Sequence, residues 1–215
     1  MLVGKRMAHP VITISPGLPI TEALNLMDQE NIRRIPVVQG AELVGIISDR
    51  DLLNASPTPT ESLSIEEVNY LISNITVEEV MTTEVLTIET TTPIEEAARI
   101  MSDNNIGSLP VMENGRVVGI ITETDLFKIF LDLMGARDEG IRVSALVPDK
   151  IGGLAALAKA IAEVGGSFVS FGQSIGEDMN NREVTFKVTG IDQETVAKAI
   201  KPFVEEIEDI RASHS

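Results

Sequence analysis

Two short stretches of this chain combine residue types in a spacing that could do chemistry. Gly45 to Asp51 reads GIISDRD, and Gly119 to Asp125 reads GIITETD. In each, a glycine permits close backbone approach. A hydroxyl follows three residues on (Ser48, Thr122), and a carboxylate three beyond that (Asp51, Asp125). Apolar residues before the hydroxyl and a helical pattern after it place both stretches where a strand turns into a helix. Free N–H groups and the positive end of the helix dipole suit a phosphate there. An aspartate one turn further in can accept the two hydroxyls of a ribose. The same spacing is also that of a helix cap, with the acid favoured by the dipole. A reciprocal capping box prefers Glu or Gln at this third position, and the shorter aspartate is expected to reach back less well. Spacing alone leaves nucleotide binding and simple capping both open.

Arginines sharpen the first reading. Arg33 and Arg34 stand just before Ile35 and Pro36, where the matching stretch has Gly107 and Ser108, and Arg50 is matched by Thr124. Arginine presents a rigid fork of donors to phosphate. Ordinary surface salt bridging is the alternative, with Gly107 and Ser108 simply making room. Little else is equipped for catalysis. The chain has no Cys, and its two histidines, His9 and His214, lie near opposite ends. Disulfides, zinc thiolates, a cysteine nucleophile, histidine metal clusters and Ser–His–Asp chemistry are therefore not expected. A net charge of -16 argues against nucleic acid or an anionic membrane as partner. No window approaches about 18 uninterrupted apolar residues, and the N-terminus lacks a signal-peptide core. The expectation is an acidic, soluble, cytoplasmic protein that is not an enzyme.

The elements that position these residues come from a repeat. Shifting the chain by 74 residues aligns 1–52 with 75–126 without a gap, and 20 of 52 positions are identical. One fold unit is used twice. In each copy, VITIS (Val11 to Ser15) or VLTIE (Val85 to Glu89) reads as a short strand. A helical stripe follows at Ile20, Ala23, Leu24 and Met27, or at Ile94, Ala97, Ala98 and Met101. Thr92, Pro93 and Glu95 predict a capping box at the start of the second of these helices. IPVV or LPVM and LVGIIS or VVGIIT then give two strands, joined in the second copy by Asn114-Gly115, a strong hairpin signal. A last helix starts near Asp51 or Asp125. Each copy is β-α-β-β-α. Met7, Met27, Met81 and Met101 are expected in the core. Ser56 to Thr60 reads as a loop, and Ser64 to Asn74 as a connecting helix.

Beyond Gly135, a plausible helix cap, GARDEG (135–140) reads as a linker and the pattern changes. IRVSALV is a strand, Asp149 to Gly153 a turn, and Leu154 to Val164 a helix closed by Gly165-Gly166. SFVSFGQSI and EVTFKV are strands, Gln193 to Glu206 a helix, and IEDIRA a final strand. The order β-α-β-β-α-β is ferredoxin-like, with one sheet face under helices and the other bare. An open face or edge invites pairing between subunits. Asp149 with Gly152 and Gly153 ahead of a helix suits a small ligand's amino or carboxylate group, or is only a turn.

The two copies resemble CBS domains. The resemblance rests on MAHPVITI, IRRIPVV and LVGIISDRDLL, and on MTTEVLTIE, IGSLPVM and VVGIITETDLF. It implies an α+β pair of domains with clefts for AMP, ADP, ATP or S-adenosylmethionine, and no required cofactor. It assigns Ser48 and Thr122 to phosphate and Asp51 and Asp125 to ribose. Adenine would lie near Ile12, Thr13, Ile35, Pro36, Thr87, Leu109 and Pro110, with Arg33, Arg34 and Arg50 as anion contacts. VPDKIGGLAALAKAIAEVGGSFVSF resembles an ACT domain, although Ile151 stands where that family usually has proline. This resemblance implies a small-molecule site at Asp149, Ile151, Gly152, Gly153 and Leu154. The whole order is similar to AcuB-like proteins linked to acetoin utilisation. The domains expected are CBS 1 at 1–60, the connecting helix at 61–74, CBS 2 at 75–134, the linker at 135–140 and ACT at 141–213. The function expected is a homodimeric regulatory sensor acting on an unidentified protein target, with a possible ACT effector. The alternative is a structural dimerisation module whose clefts are vestigial.

Overall fold

The computed structural model describes residues 1–55, 74–177 and 180–213. The loop expected at Ser56 to Thr60, nearly all of the connecting helix and His214 lie outside them. The chain divides into two compact units, Met1–Leu126 and Phe127–Ser215.

In the first unit each copy builds a helix, a hairpin and a second helix. Copy one has α1 (Ile20–Glu30), β1 (Arg34–Gln39), β2 (Glu42–Ser48) and α2 (Asp49–Ala55). A short helix α3 (Val77–Val80) opens copy two, with β3 (Ile88–Glu89), α4 (Ile94–Asn104), β4 (Ser108–Glu113), β5 (Arg116–Thr122) and α5 (Glu123–Leu133), whose residues from Phe127 on belong to the second unit. The hairpin signal is realised: Asn114 and Gly115 both have positive φ between the paired residues Glu113 and Arg116. The first expected strand of each copy shrinks. In Val11 to Ser15 only Ile14 pairs, as a parallel bridge to Val37, and in Val85 to Glu89 only Ile88 and Glu89 form strand. Pro10 and Pro16 flank the first run and remove donors that a longer ladder would use. The capping box expected at Thr92 does not form. Pro93 is the N-cap residue, and the Thr92 hydroxyl instead accepts from the Glu89 N–H at 3.2 Å, closing the preceding turn. The box lies at Thr76 and Glu79, where both the Thr76 N–H and its hydroxyl donate to Glu79 Oε1 at 2.9 Å. Those bonds hold the Glu79 carboxyl below the usual carboxylate range. Their support is present at neutral pH and is lost as pH falls through that lowered value.

The first residues of each copy are built into the other one. The Ile20 N–H donates to the Ile75 carbonyl at 3.0 Å and the Val77 N–H to the Leu18 carbonyl at 2.9 Å. Val77 is wholly buried in the copy-one core with Ile14, Ile20, Ala23, Met27, Ile35, Val37, Ile47 and Leu52. Reciprocally, the Val3 N–H donates to Thr92 O and the Ile94 N–H to Met1 O. Gly45 and Gly119 are explained here, and not by a ligand. A Cβ at Gly45 would lie 2.9 Å from Met81 Cγ and 3.1 Å from the Thr82 carbonyl oxygen. A Cβ at Gly119 would lie 2.9 Å from Met7 Cγ and 3.0 Å from the Ala8 carbonyl oxygen. Met27 and Met101 are buried, while Met7 and Met81 are half-buried, filling these glycine notches. We expect Gly45→Val to lower the first unit's stability by about 1–3 kcal/mol, as overpacking does. Met81→Ala in the same chain should return part of that loss, read by calorimetric melting.

The second unit runs β6 (Gly140–Pro148), α6 (Gly153–Glu163), β7 (Ser167–Ile175), β8 (Asn181–Thr189), α7 (Gln193–Ile200) and β9 (Glu206–Ser213). Its sheet is antiparallel, in the order β7-β8-β6-β9. The last helix is shorter than expected: α7 ends at Ile200 and a 3-10 turn, Lys201–Phe203, holds Pro202. Val143, Ala145, Val184, Phe186 and Val188 pack with Leu157, Ile161, Val196 and Ile200 of the helices. The opposite face is not bare, and 135–140 is not a free linker. Gly135, left-handed past the end of α5, stands close to Val169 and Ser170 of β7. Buried Lys187 donates through Nζ to the Gly135 carbonyl at 2.6 Å, the Asp138 carbonyl at 2.7 Å and Ser213 Oγ at 3.0 Å. Gly140 already belongs to β6.

Candidate functional site

The two motifs fold alike. The Ser48 N–H donates to Asp51 Oδ2 at 2.9 Å and the Ser48 hydroxyl donates to the same oxygen at 2.7 Å, while the Asp51 N–H reaches Ser48 Oγ at 3.3 Å. Thr122 and Asp125 repeat all three distances. Aspartate therefore closes a full reciprocal box, and the expectation that it reaches back poorly is corrected. The hydroxyl and the backbone amide sit close enough to the start of the helix for one short carboxylate arm to reach both. In each motif Oδ1 is left without a partner among the described residues.

A cavity of about 680 Å³ opens beside the first motif. Copy one supplies Arg34 from β1, Ile46, Ile47 and Ser48 from the end of β2, and Asp51 from α2. Copy two supplies Thr82, Glu84, Val85 and Leu86 ahead of β3, and Asn104 to Ser108, where α4 gives way to β4. The wall is set by the exchanged segments: the Ile46 and Thr82 backbones bond each other both ways, at 2.9 Å each. Ile120 and Ala8 make the equivalent pair at 2.9 and 3.2 Å, so the second motif lies against the start of copy one. Half-buried Arg34 crosses the repeat boundary to Gly107, where a Cβ would lie 2.8 Å from its Cζ. The small residue does make room. The Arg34 side chain forms no hydrogen bond or ion pair among the described residues, so a cation and a carboxylate oxygen both line the cavity without a partner.

The cavity brings together Arg34, Ser48 and Asp51 of the residues singled out by sequence. Arg33 and Arg50 are exposed and are not among its lining residues, and the Arg50 N–H bonds Asp49 Oδ1 at 2.8 Å. Ile35 and Leu109 are wholly buried, so their side chains present no surface to a ligand. Pro36 and Pro110 are buried in the strands next to them. Ile12 is half-buried and Thr13 exposed, and neither lines the cavity. Thr87 lines a shallower depression of about 460 Å³ with Thr83, Val85 and Met112. Sequence reasoning missed Thr82, Glu84, Val85, Leu86 and Asn104 to Ile106. The cavity joins motif one to copy two, which the order of residues along one copy does not reveal. In the second unit, Asp149 is 40% exposed and its Oδ2 is held by Arg182 at 2.6 Å. Gly152, Gly153 and the exposed Ile151 and Leu154 form the turn into α6, with Gly152 left-handed.

Comparison with known proteins places these features. The CBS domain profile matches residues 3–58 and 77–132. A CBS domain-containing protein of Dictyostelium discoideum is 32% identical over 136 residues, 62% of this chain and 94% of that protein. An inosine-5'-monophosphate dehydrogenase of Korarchaeum cryptofilum is 31% identical over 64% of this chain but only 26% of its own length. The CBS domain pair of protein MJ0100, solved with 5'-methylthioadenosine and S-adenosyl-L-methionine, superposes with a TM-score of 0.51 at 32% identity, over 60% of this chain and 95% of that one. A putative acetoin utilization protein (AcuB) from Vibrio cholerae gives 0.53 at 31% identity, over 63% and 93%.

Proposed function

The chain belongs to the CBS-domain family, and from that premise we propose that its repeat pair is a non-catalytic sensor of an adenine nucleotide or related adenosyl ligand. The observation that carries this reading is the cavity joining Arg34, Ser48 and Asp51 to the copy-two wall. At about 680 Å³ it falls within the usual range for small-molecule sites. Asp51 Oδ1 would accept ribose hydroxyls, Val85, Leu86 and Ile106 would flank the base, and Arg34 would meet an anionic group. The adenosyl compounds bound by the 32% identical MJ0100 pair support the same class. AMP, ADP, ATP and S-adenosylmethionine are the candidates, and an unidentified protein target would read the change. Thr122 and Asp125 would serve a second cleft against copy one. Titration of the full chain with that panel and adenosine, by calorimetry, tests the proposal; no heat and no melting shift with any of them would refute it. The second reading, an interaction module with vestigial clefts, has one observation in its favour: both aspartates already complete helix caps.

For residues 141–213 we propose an ACT-type unit that serves dimerisation, with a possible small-molecule effector near Gly152, Gly153, Ile151 and Leu154. The element order and antiparallel sheet support it, as does the likeness to the AcuB structure for an AcuB-like assignment. Strands β7 and β9 leave two open edges, and Phe127, Phe130 and Leu133 of α5 are more than half exposed. Both features favour a homodimer. Light scattering should therefore give about twice 23.2 kDa at micromolar concentration, and a 23 kDa species would contradict it. No helix among the described residues is long and apolar enough to cross a membrane. A cytoplasmic location without membrane or nucleic-acid partners fits that and the charge of -16.

A further inference from the structure

Arg34 is placed by two residues of the other copy. Gly107 leaves the notch into which its guanidinium extends, and a Cβ there would lie 2.8 Å from Arg34 Cζ and 2.8 Å from Glu123 Oε2. Glu123 is set beside the same notch by its own backbone, whose N–H donates to the Gly107 carbonyl at 3.1 Å. Arginine and glutamate thus flank one glycine, yet neither forms an ion pair or a side-chain hydrogen bond among the described residues. In copy one the position of Gly107 is held by Arg33, so the same notch does not recur at the other motif. We infer that Gly107 and Glu123 set the first cleft's preference for anionic ligands, Gly107 by admitting Arg34 and Glu123 by competing for it.

This inference rests on the cavity being an adenosyl site. A phosphate that meets Arg34 must draw the guanidinium from the field of the Glu123 carboxylate. The competition is that of two exposed or half-exposed charges, so its effect is modest and falls with salt. A ligand without a charged group does not feel it. Copy two therefore adjusts a cation that copy one supplies, and Glu123, next to Thr122, links this adjustment to the second motif.

The test is calorimetric titration of the full chain at low salt with AMP and with adenosine. Glu123→Gln should tighten AMP about two- to fivefold and leave adenosine unchanged. Gly107→Ala should weaken AMP about tenfold relative to adenosine, because Arg34 is pushed from its notch. Raising salt to about 0.5 M should shrink the Glu123→Gln gain. If adenosine and AMP bind but Glu123→Gln leaves their ratio as in the unaltered chain, this inference is wrong and the adenosyl reading stands. If neither binds the unaltered chain, the adenosyl reading fails and this inference fails with it.

Discussion

Replacing Lys187 by methionine should lower the stability of the second unit by about 2–4 kcal/mol. The side chain is 3% exposed and donates to two main-chain carbonyls and a hydroxyl. Methionine fills a similar volume, so packing changes little. The Gly135 and Asp138 carbonyls lose a charged donor, and an unsatisfied buried acceptor costs about 1–3 kcal/mol. Burying an ammonium is itself costly, which sets a ceiling on the net loss. The position of Nζ just past the C-terminal end of α5 works the other way, because cations are favoured there. A unit of this size should melt roughly 10 °C lower or more. Calorimetry should show only the second unit's transition moving. A shift under about 2 °C would mean that the three bonds contribute nothing.

The second large effect is on binding. Arg34→Ala should weaken AMP about tenfold to a hundredfold, the roughly 1.5–3 kcal/mol of a charge-assisted hydrogen bond, while adenosine changes less than about twofold. Arg33→Ala and Arg50→Ala should move neither, since both side chains are exposed away from the cavity lining. Equal losses for AMP and adenosine in Arg34→Ala would remove the anion role and leave a packing one.

Much of this arrangement is legible in the sequence. The 74-residue repeat, the helical stripes, the Asn114-Gly115 turn and the β-α-β-β-α-β order of the C-terminal unit follow from periodicity and turn chemistry. What is not legible depends on contacts between distant segments. Periodicity says that Ile35 and Leu109 lie in strands, but not which strand face meets the core. The repeat says that Met7 and Met81 are equivalent, but not that each fills the notch of a glycine in the other copy. Spacing cannot tell that the Thr92 hydroxyl closes a preceding turn while Thr76 takes the capping role. Lys187 reads as one polar position in an alternating strand, and only the return of residues 135–138 over the sheet makes it buried. Asp149 similarly gives no sign of Arg182, 33 residues on, which the fold brings beside it. The clefts were expected, but not that Thr82, Glu84, Val85, Leu86 and Asn104 to Ile106 of copy two would line the one beside Asp51.

The central claim is that the first motif does more than cap a helix, and Asp51→Ala separates the two roles. Removing the carboxylate should cost about 1 kcal/mol as a cap, seen as a small drop in melting temperature. If Asp51 also holds ribose, adenosine and AMP should both weaken about tenfold to a hundredfold in the same protein. The most direct measurement is therefore the adenosine dissociation constant of Asp51→Ala beside that of the unaltered chain, taken well below both melting temperatures. A loss of at least tenfold is the predicted result; unchanged binding in a variant that melts earlier would reduce the motif to a cap and contradict the sensor.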